Sequence, residues 1–531
     1  MAENRFDWNP VFTDPVLCSQ AARLVDAVES AGRDRATRGA SYITRRAKRL
    51  QLAQQLISSL YVAYTSGDLI SVPQSPRYYS AKAPAPGKVH ASHLYAKELS
   101  EALKGLGWMR VVQEGKKDET FTLMEADGEL ASVFEEIGLI WMAQQPRPSC
   151  ELVALKDVKR GKDGTPIRKG KKHKGKKRKT EKVELPVKET SEVVQMRENL
   201  EYINARLSEH CIHLDLSDEH YMDLRRELAR KAEEERVEAD EDDTSTDAET
   251  DADDDSQFAS LQLHNVQMRR VFARGSMQKG GRFYGGWWQG IPSLHRPHIR
   301  IDGYKTIEVD YSGVAIRIIS SIVGRPLPAD IDPYDIGLPG WLGSNDPRRK
   351  TVKKNVNALI NDEDGVYSVN KTDQAVMGVD AGEFRRLLQK THPLICDRLA
   401  DGIGLHAQYI DSQVAETVML EMLKDDIVVL PIHDSFRVRA GYADWLSEVM
   451  KAAFRDIAKA EVSVEADFVK TDIHYGKTET QIREDLNVIE DEAERMGVVS
   501  TEALRNALRD RNSMLMDSYL NSYELWKAQL S

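Results

Sequence analysis

Two aspartates, Asp310 and Asp434, each stand at the edge of a run of aliphatic and β-branched residues. Such runs predict buried strands, and a strand can bring a charged residue to the lip of a sheet. Two carboxylates on adjacent strands can hold two divalent cations about 3.5–4 Å apart, an arrangement that enzymes use for phosphoryl transfer. The pair therefore predicts a metal-dependent phosphoryl-transfer site. The alternative is a pair of strand-end acids that cap neighbouring loops.

A basic segment between the two aspartates has helical spacing. In residues 348–361 (RRKTVKKNVNALIN), Arg349 and Lys353 are four positions apart and so project from one face of a helix. Two cations on one face suit the triphosphate of a nucleotide, and Lys353 could also donate a proton to pyrophosphate. An exposed basic helix is the alternative, because Lys350 and Lys354 are basic as well.

Three segments resemble those of template-dependent polymerases. Residues 309–317 (VDYSGVAIR) resemble the metal-binding motif of the palm in family A DNA polymerases, and residues 348–361 resemble their nucleotide-binding fingers helix. Residues 430–436 (LPIHDSF) resemble the His-Asp hairpin that this family shares with single-subunit, phage-type RNA polymerases. They are closer to the RNA polymerase version. The three segments also occur in the family's order.

The resemblance implies a reduced α+β enzyme, with a palm made of an antiparallel sheet and helices and with small helical fingers. In such an enzyme, Asp310 and Asp434 hold two Mg²⁺ ions, with Mn²⁺ as a substitute, and the carbonyl of Tyr311 completes the coordination. His433 positions the turn or the primer end and is not a metal ligand. The residues that the resemblance places around the nucleotide are Arg349, Lys353, Asn357, Asn361, Ala315 and Tyr311.

The chain departs from the family at three of these positions. The fingers helix of the family carries an aromatic residue and then Tyr-Gly where this chain has Asn357 and Asn361. The glutamate with which DNA polymerases block a sugar 2′-hydroxyl falls at Ala315. We therefore predict a template-directed RNA polymerase or primase that accepts ribonucleotides at least as well as deoxyribonucleotides. The alternative is a DNA-binding replication initiator or regulator whose palm has degenerated.

A glycine- and aromatic-rich stretch, residues 274–288, precedes the first aspartate. Glycine lets a backbone approach a ligand closely, aromatic rings stack on bases, and arginine binds phosphate. The residues predicted to contact template or primer here are Arg274, Arg282, Tyr284 and Trp287. The alternative is a glycine-rich turn that packs its tryptophans into the core.

Residues 1–150 are predicted to form a winged-helix-like α+β domain. Helices are expected at 42–65 and 93–104, and the strands of a hairpin at 109–113 and 120–123. In a winged helix the second helix can enter a DNA groove, so Lys97 and Lys104 are expected to contact phosphate. A small module for protein contacts is the alternative.

Charge is segregated along the remainder of the chain. Residues 156–182 hold 14 Lys or Arg, whereas residues 233–255 hold 14 Asp or Glu, so the net charge of −11 does not argue against a nucleic-acid partner. The segments expected after the first domain are a basic flexible insertion at 151–190, a helical and thumb-like pair at 191–232, an acidic disordered linker at 233–257, the catalytic domain at 258–480 and a helical tail at 481–531.

The catalytic domain should contain helices at 314–323, 381–401, 405–423 and 444–458. On the third of these, Asp411 and Glu416 could hydrogen-bond near the template, but solvated acids on a packed helix are the preferred interpretation.

The 531-residue chain has four scattered cysteines and no signal-like or bilayer-spanning run. These features predict a cytoplasmic protein. Its expected partners are a DNA template, a primer or nascent strand and nucleoside triphosphates, with no membrane. Replication or priming of a plasmid, phage or other mobile element is the expected setting.

Overall fold

The computed structural model of the protein describes most of residues 14–467. The described ranges are 14–31, 40–66, 92–113, 122–137, 151–161, 182–216, 265–362, 367–399 and 402–467, with short pieces at 3–5, 69–71, 165, 167, 220–221, 223–224, 226–228, 230 and 263. The predicted acidic linker and the predicted helical tail lie outside them, as do residues 162–164, 166 and 168–181 of the basic insertion. Within the described ranges, no helix is long and apolar enough to cross a membrane.

The described parts of residues 3–137 form a mixed α+β unit. Its helices are α1 (Pro15–Ser30), α2 (Ala40–Ser66), α3 (His93–Gly105) and α4 (Gly128–Ile137), and its strands are β1 (Glu3–Arg5), β2 (Leu69–Ser71), β3 (Met109–Gln113) and β4 (Leu123–Ala126). The strands lie in the order β1-β2-β4-β3. The two predicted helices and the antiparallel hairpin β3–β4 are confirmed, whereas α1 and α4 were not predicted.

The described second strand of this hairpin, Leu123–Ala126, extends beyond the strand predicted at 120–123, of which residues 120 and 121 lie outside the described ranges. Met124 and Ala126 are its alternate residues that face the core. The unit has a hydrophobic core of its own, into which α3 turns Leu99 and Leu103. Lys97 and Lys104 lie on the opposite, exposed side of α3.

The second unit is also mixed α+β. Its strands are β5 (Val153–Val158), β6 (Lys182–Leu185), β7 (Ile212–Leu214), β8 (Arg269–Ala273), β9 (Ser276–Tyr284), β10 (Ile299–Ile301), β11 (Tyr304–Tyr311), β12 (Leu430–Ile432), β13 (Ser435–Arg439) and β14 (Val464–Asp467). Its helices are α5 (Ser191–Ser208), α6 (Val314–Ile322), α7 (Arg349–Ile360), α8 (Lys371–Met377), α9 (Ala381–Thr391), α10 (Pro393–Cys396), α11 (Ile403–Leu423) and α12 (Ala443–Ala458).

Two sheets organise the second unit. The larger has the order β12-β13-β11-β10-β7, with β14 beside β11, and all its described pairings are antiparallel. The smaller has the order β6-β5-β8-β9 and contains one parallel pairing, between β5 and β8. One hydrophobic core runs through the unit from Val153 to Val462.

This continuous core corrects the predicted domain boundaries. Strand β5 lies in the segment predicted to be a flexible insertion, but Val153 and Ala154 are fully buried. Helix α5 was assigned to a separate helical pair, yet Leu200 and Ile203 enter the same core as β11. The described parts of residues 151–216 therefore pack with the predicted catalytic domain, because apolar side chains from both segments belong to one core.

The helices predicted in the second half are mostly confirmed. Helix α12 turns Leu446, Met450 and Phe454 inwards at four-residue spacing, as its sequence indicates. The helix predicted at 381–401 is broken after Thr391, because Pro393 disfavours a helical conformation at His392 and has no N–H to continue the ladder. Helix α8 was not predicted.

Candidate active site

Strand β11 and the β12–β13 turn bring Asp310 and Asp434 together. Asp310 pairs with Ser435 across the antiparallel ladder, which places it beside the residue that follows Asp434. The turn has two residues, and the first of them, His433, adopts a positive φ of 56°. A positive φ at this position suits a tight hairpin turn. Asp310 on β11 and Asp434 in the turn before the neighbouring strand β13 therefore lie at the same end of the sheet.

The electrostatics of Asp310 show that the two acids interact. Burial raises the pKa of Asp310 well above its usual range, the charge of Asp434 raises it further, and Lys353 acts in the opposite direction. The Oδ1 atom of Asp310 is shielded from solvent and has no hydrogen-bond partner among the described residues. A buried carboxylate oxygen without a donor is costly, so a cation at this position would stabilise the ionised form.

A network of polar side chains fixes the hairpin beside the two aspartates. Glu308, two residues before Asp310 on β11, accepts a hydrogen bond of 2.8 Å from the Ser435 hydroxyl. It also pairs with Arg437 at 2.9 Å and with Arg296 at 3.4 Å. Because Glu308 and Ser435 lie on the two strands that carry the site, these contacts hold their register.

Helix α7 brings Lys353 near Asp310, whereas Arg349 and Asn361 make other contacts. Lys353 is close enough to Asp310 to lower the pKa of that carboxyl. Arg349 instead makes a bidentate ion pair with Asp332. The amide nitrogen of Asn361 donates to the carbonyl of Asn357 at 3.0 Å, so this side chain is bound to its own helix.

Tyr311 and Ala315 follow Asp310 closely in the chain. The Tyr311 side chain belongs to the core, where its hydroxyl donates to the carbonyl of Met450 at 2.8 Å. Only its backbone is therefore placed to serve a site at the strand end. Ala315 is the second residue of α6 and is half-buried. The turn between them needs Gly313, which has a φ of 71° and where a Cβ would meet Pro333 at 2.3 Å.

The aromatic-rich stretch divides into buried and accessible residues. Trp287 is 6% exposed and packs into the core beside Trp288, so its ring offers no face to a base. The predicted contact of Trp287 with template or primer is therefore wrong, and the alternative, a tryptophan packed into the core, is correct for this residue. Arg274 is exposed in the turn between β8 and β9, and Tyr284 is half-buried at the end of β9.

Two buried ion pairs connect β8 and β9 to α11. Arg270 donates to Glu416 at 2.7 Å and to the Ser412 hydroxyl at 2.8 Å, and Arg282 pairs with Asp411 at 3.1 Å. Asp411 and Glu416 are 5% and 7% exposed. The prediction that they are solvated acids is therefore wrong. The available signal was the position of Asp411, four residues before Ala415 and seven before Val418 and so at the spacing of the buried face of this helix, since a buried acid requires a partner.

The Arg282–Asp411 pair adjoins the two aspartates. Burial raises the pKa of Asp411 to about 6, the charge of Asp434 raises it as well, and Arg282 opposes both effects. Burial lowers the pKa of His433 to about 4, and Arg282 lowers it further. A small pocket here is lined by Arg282, Phe283, Gln289, Asp411, Ser412, Ala415, Pro431 and His433. Arg282 and His433 thus lie close to the two aspartates. Asp411 does too, which the sequence indicated only as the less favoured alternative, and its pairing with Arg282 was missed.

Another missed residue is Glu465 on β14. It pairs with Asp310 on the side of β11 that β13 does not occupy, so the two side chains share a face of the sheet. Glu465 is exposed, and its charge contributes to raising the pKa of Arg349, although the ion pair with Asp332 contributes most. The sequence does not indicate that Glu465 lies beside Asp310, because the two residues are far apart in the chain and meet only through the pairing of β14 with β11.

Within the described ranges, no group of three or more His, Cys, Asp or Glu side chains is arranged to hold a metal ion. In comparisons with known proteins, no family model matches the chain and no curated protein is significantly similar to it. The chemistry of the site therefore has to be argued from its own residues.

The raised pKa of Asp310 predicts a pH-dependent stability difference. The unfolded chain loses the Asp310 proton near pH 4, whereas the folded protein retains it up to about pH 8. The stabilisation contributed by this group is therefore lost as the pH rises through that interval. With a chelator present, Asp310→Asn should match the wild type near pH 4 and exceed it in free energy of unfolding by about 1–3 kcal/mol at pH 8.

Urea denaturation at several pH values measures this difference. Asp425→Asn, at an exposed position, is the control and should show no such trend. A difference between Asp310→Asn and the wild type that stays flat with pH would mean that Asp310 is not electrostatically strained.

Proposed function

We propose that the protein is a template-directed nucleotidyltransferase, an RNA polymerase or primase that extends a nucleic acid by two-metal phosphoryl transfer. The observation that carries this proposal is the meeting of Asp310, Asp434 and Lys353 at one site, although they come from separate parts of the chain. Two acids, and a cation near enough to alter the pKa of one of them, match the charges of a nucleotide triphosphate bound through divalent ions.

The donor set fits Mg²⁺. This ion takes oxygen ligands and keeps several waters, so two carboxylates and a backbone carbonyl can hold it without a larger cluster of side chains. Asp310 and Asp434 would be the carboxylate ligands, with the Tyr311 carbonyl as a third oxygen. Bound Mg²⁺ lowers the pKa of an attacking hydroxyl and neutralises charge on the departing pyrophosphate. The Asp310 Oδ1 atom, which has no hydrogen-bond partner in the described structure, supports this assignment.

The chain's own residues would orient the nucleotide. Lys353 is placed to bind a phosphate next to Asp310 and to donate a proton to pyrophosphate as the bond to it breaks. Arg349, one turn earlier on α7, would bind the same triphosphate. Glu308, Ser435 and Arg437 would act only by holding the two strands in register.

Nucleic-acid contacts are proposed at two places. Arg282 and Tyr284 lie on β9 next to the site, and Arg274 extends from the turn before it, so they would contact primer or template. In the first unit, the exposed Lys97 and Lys104 of α3 would bind DNA phosphate in a winged-helix-like arrangement. The proposed setting is priming or replication of a mobile element.

Loss of either aspartate should abolish synthesis. Asp434→Asn removes a charge that the divalent ions require, so kcat for templated incorporation should fall by at least about 100-fold. Incorporation of labelled nucleotides on a primed oligonucleotide with Mg²⁺ measures this. Glu421→Gln, which removes an exposed charge paired with Lys424, should retain normal activity. Near-normal incorporation by Asp434→Asn would remove this residue from the site.

The sugar preference should depend on Ala315. Its methyl group cannot fill the space in which a longer acid would meet a 2′-hydroxyl, so ribonucleotides should be used at least as well as deoxyribonucleotides. Ala315→Glu should lower the ratio of kcat/KM for NTPs to kcat/KM for dNTPs by about tenfold or more. Use of dNTPs is the internal control for folding. Strong rejection of NTPs by the wild type would contradict this assignment and leave that of the two aspartates unaffected.

A further inference from the structure

The guanidinium of Arg349 is held by an acid inside the protein. Its Nε donates to Asp332 Oδ2 at 2.9 Å and its Nη2 donates to Oδ1 at 3.0 Å. The two side chains are 24% and 15% exposed, so solvent screens the pair only partly. A bidentate contact of this kind is also the geometry in which arginine binds phosphate. The acid therefore occupies the edge of Arg349 that a nucleotide phosphate would use.

The loop that carries Asp332 is anchored to the start of α6. Arg317 is 1% exposed and donates to the carbonyls of Pro328 at 2.8 Å, Ala329 at 3.1 Å and Ile331 at 2.6 Å. It also donates to the carbonyl of Ser312 at 2.9 Å, close to the end of β11. Asp332 is thus held in place by the same segment that carries Asp310.

Two further contacts fix the geometry of the pair. Asp332 Oδ1 accepts a hydrogen bond from the backbone N–H of Tyr334 at 3.1 Å. The ring of Tyr334 lies under the Arg349 guanidinium, 5.2 Å from its centroid. The carboxylate and the guanidinium are therefore both positioned before any nucleotide arrives.

On the basis of the proposed function, we propose that Asp332 is an internal competitor of the nucleotide triphosphate for Arg349 and sets the affinity of the site. A triphosphate brings several negative charges and also meets Lys353, so it can take the place of one carboxylate at Arg349. A phosphate that approached the other edge of the guanidinium would still be repelled by Asp332. In either case the acid weakens nucleotide binding.

A positioning role for Asp332 predicts the opposite result. If the acid served mainly to orient Arg349 towards a phosphate, removing its charge would free the guanidinium and weaken binding. If it competes, removing its charge strengthens binding. The sign of the change in affinity therefore decides between the two roles.

Asp332→Asn is the direct test. Asparagine has nearly the same volume and keeps an oxygen that can accept from Tyr334 N–H, but it lacks the charge that holds Arg349. The dissociation constant for inorganic triphosphate, measured by calorimetry at fixed Mg²⁺, should fall by about threefold to tenfold. The KM for nucleotides in primer extension should fall by a similar factor.

The same loop offers a matched control. Asp335 accepts from the N–H of Gly337 at 3.0 Å, in a turn like that of Asp332, and is exposed. Asp335→Asn should leave triphosphate binding unchanged. In the Arg349→Ala background, adding Asp332→Asn should give no gain, because the group for which the acid competes is then absent. Asp332→Ser, which also lacks the charge and retains a short acceptor, should reproduce the gain and excludes an effect peculiar to asparagine.

The outcomes separate this inference from the proposed function. Unchanged or weaker triphosphate binding by both Asp332→Asn and Asp332→Ser overturns the inference, even when primer extension is normal. Tighter binding that depends on Arg349 supports it, even if no variant extends a primer, in which case the proposed function fails instead.

Discussion

The site depends on the repulsion between two acids that the fold holds together. Strand β11 and the β12–β13 turn place Asp310 where burial and the charge of Asp434 both disfavour its ionisation. A protein gains no stability from such an arrangement, and strained groups of this kind are concentrated at functional sites. The surrounding residues compensate locally, with Lys353 near Asp310 and with arginines around Glu308. Glu308 is thus paired with two arginines, whereas the Oδ1 atom of Asp310 has no hydrogen-bond partner among the described residues.

The same segment links the acids to the basic helix. Asp310 ends β11, Arg317 follows on α6 and binds the loop at 328–331, and Asp332 at the end of that loop binds Arg349. The residues proposed as metal ligands and those proposed as phosphate binders are therefore connected by hydrogen bonds through this segment. Arg349, the first residue of α7, already has Asp332 as its anionic partner. It therefore does not need to pair with Asp310 or Asp434.

Much of this arrangement could be predicted from the sequence. Aliphatic runs that end in acids indicate strand ends, and four-residue spacing indicates the faces of α7 and α12. These signals are local. The buried pairs Arg270–Glu416 and Arg282–Asp411 could not be predicted, because the partners of each are more than 100 residues apart in the chain. The sharing of one core by β5, α5 and β11 also depends on tertiary packing and could not be predicted. The same is true of the ion pair between Arg349 and Asp332.

Direct binding of a divalent cation tests the central claim. Titration with Mn²⁺, followed by electron paramagnetic resonance of the free ion, reports metal affinity without requiring a template or catalysis. The wild type should bind Mn²⁺, and both Asp310→Asn and Asp434→Asn should weaken that binding by at least about tenfold, because each removes a ligand from a shared site. Equal Mn²⁺ affinity in all three proteins would contradict a metal site formed by these two aspartates.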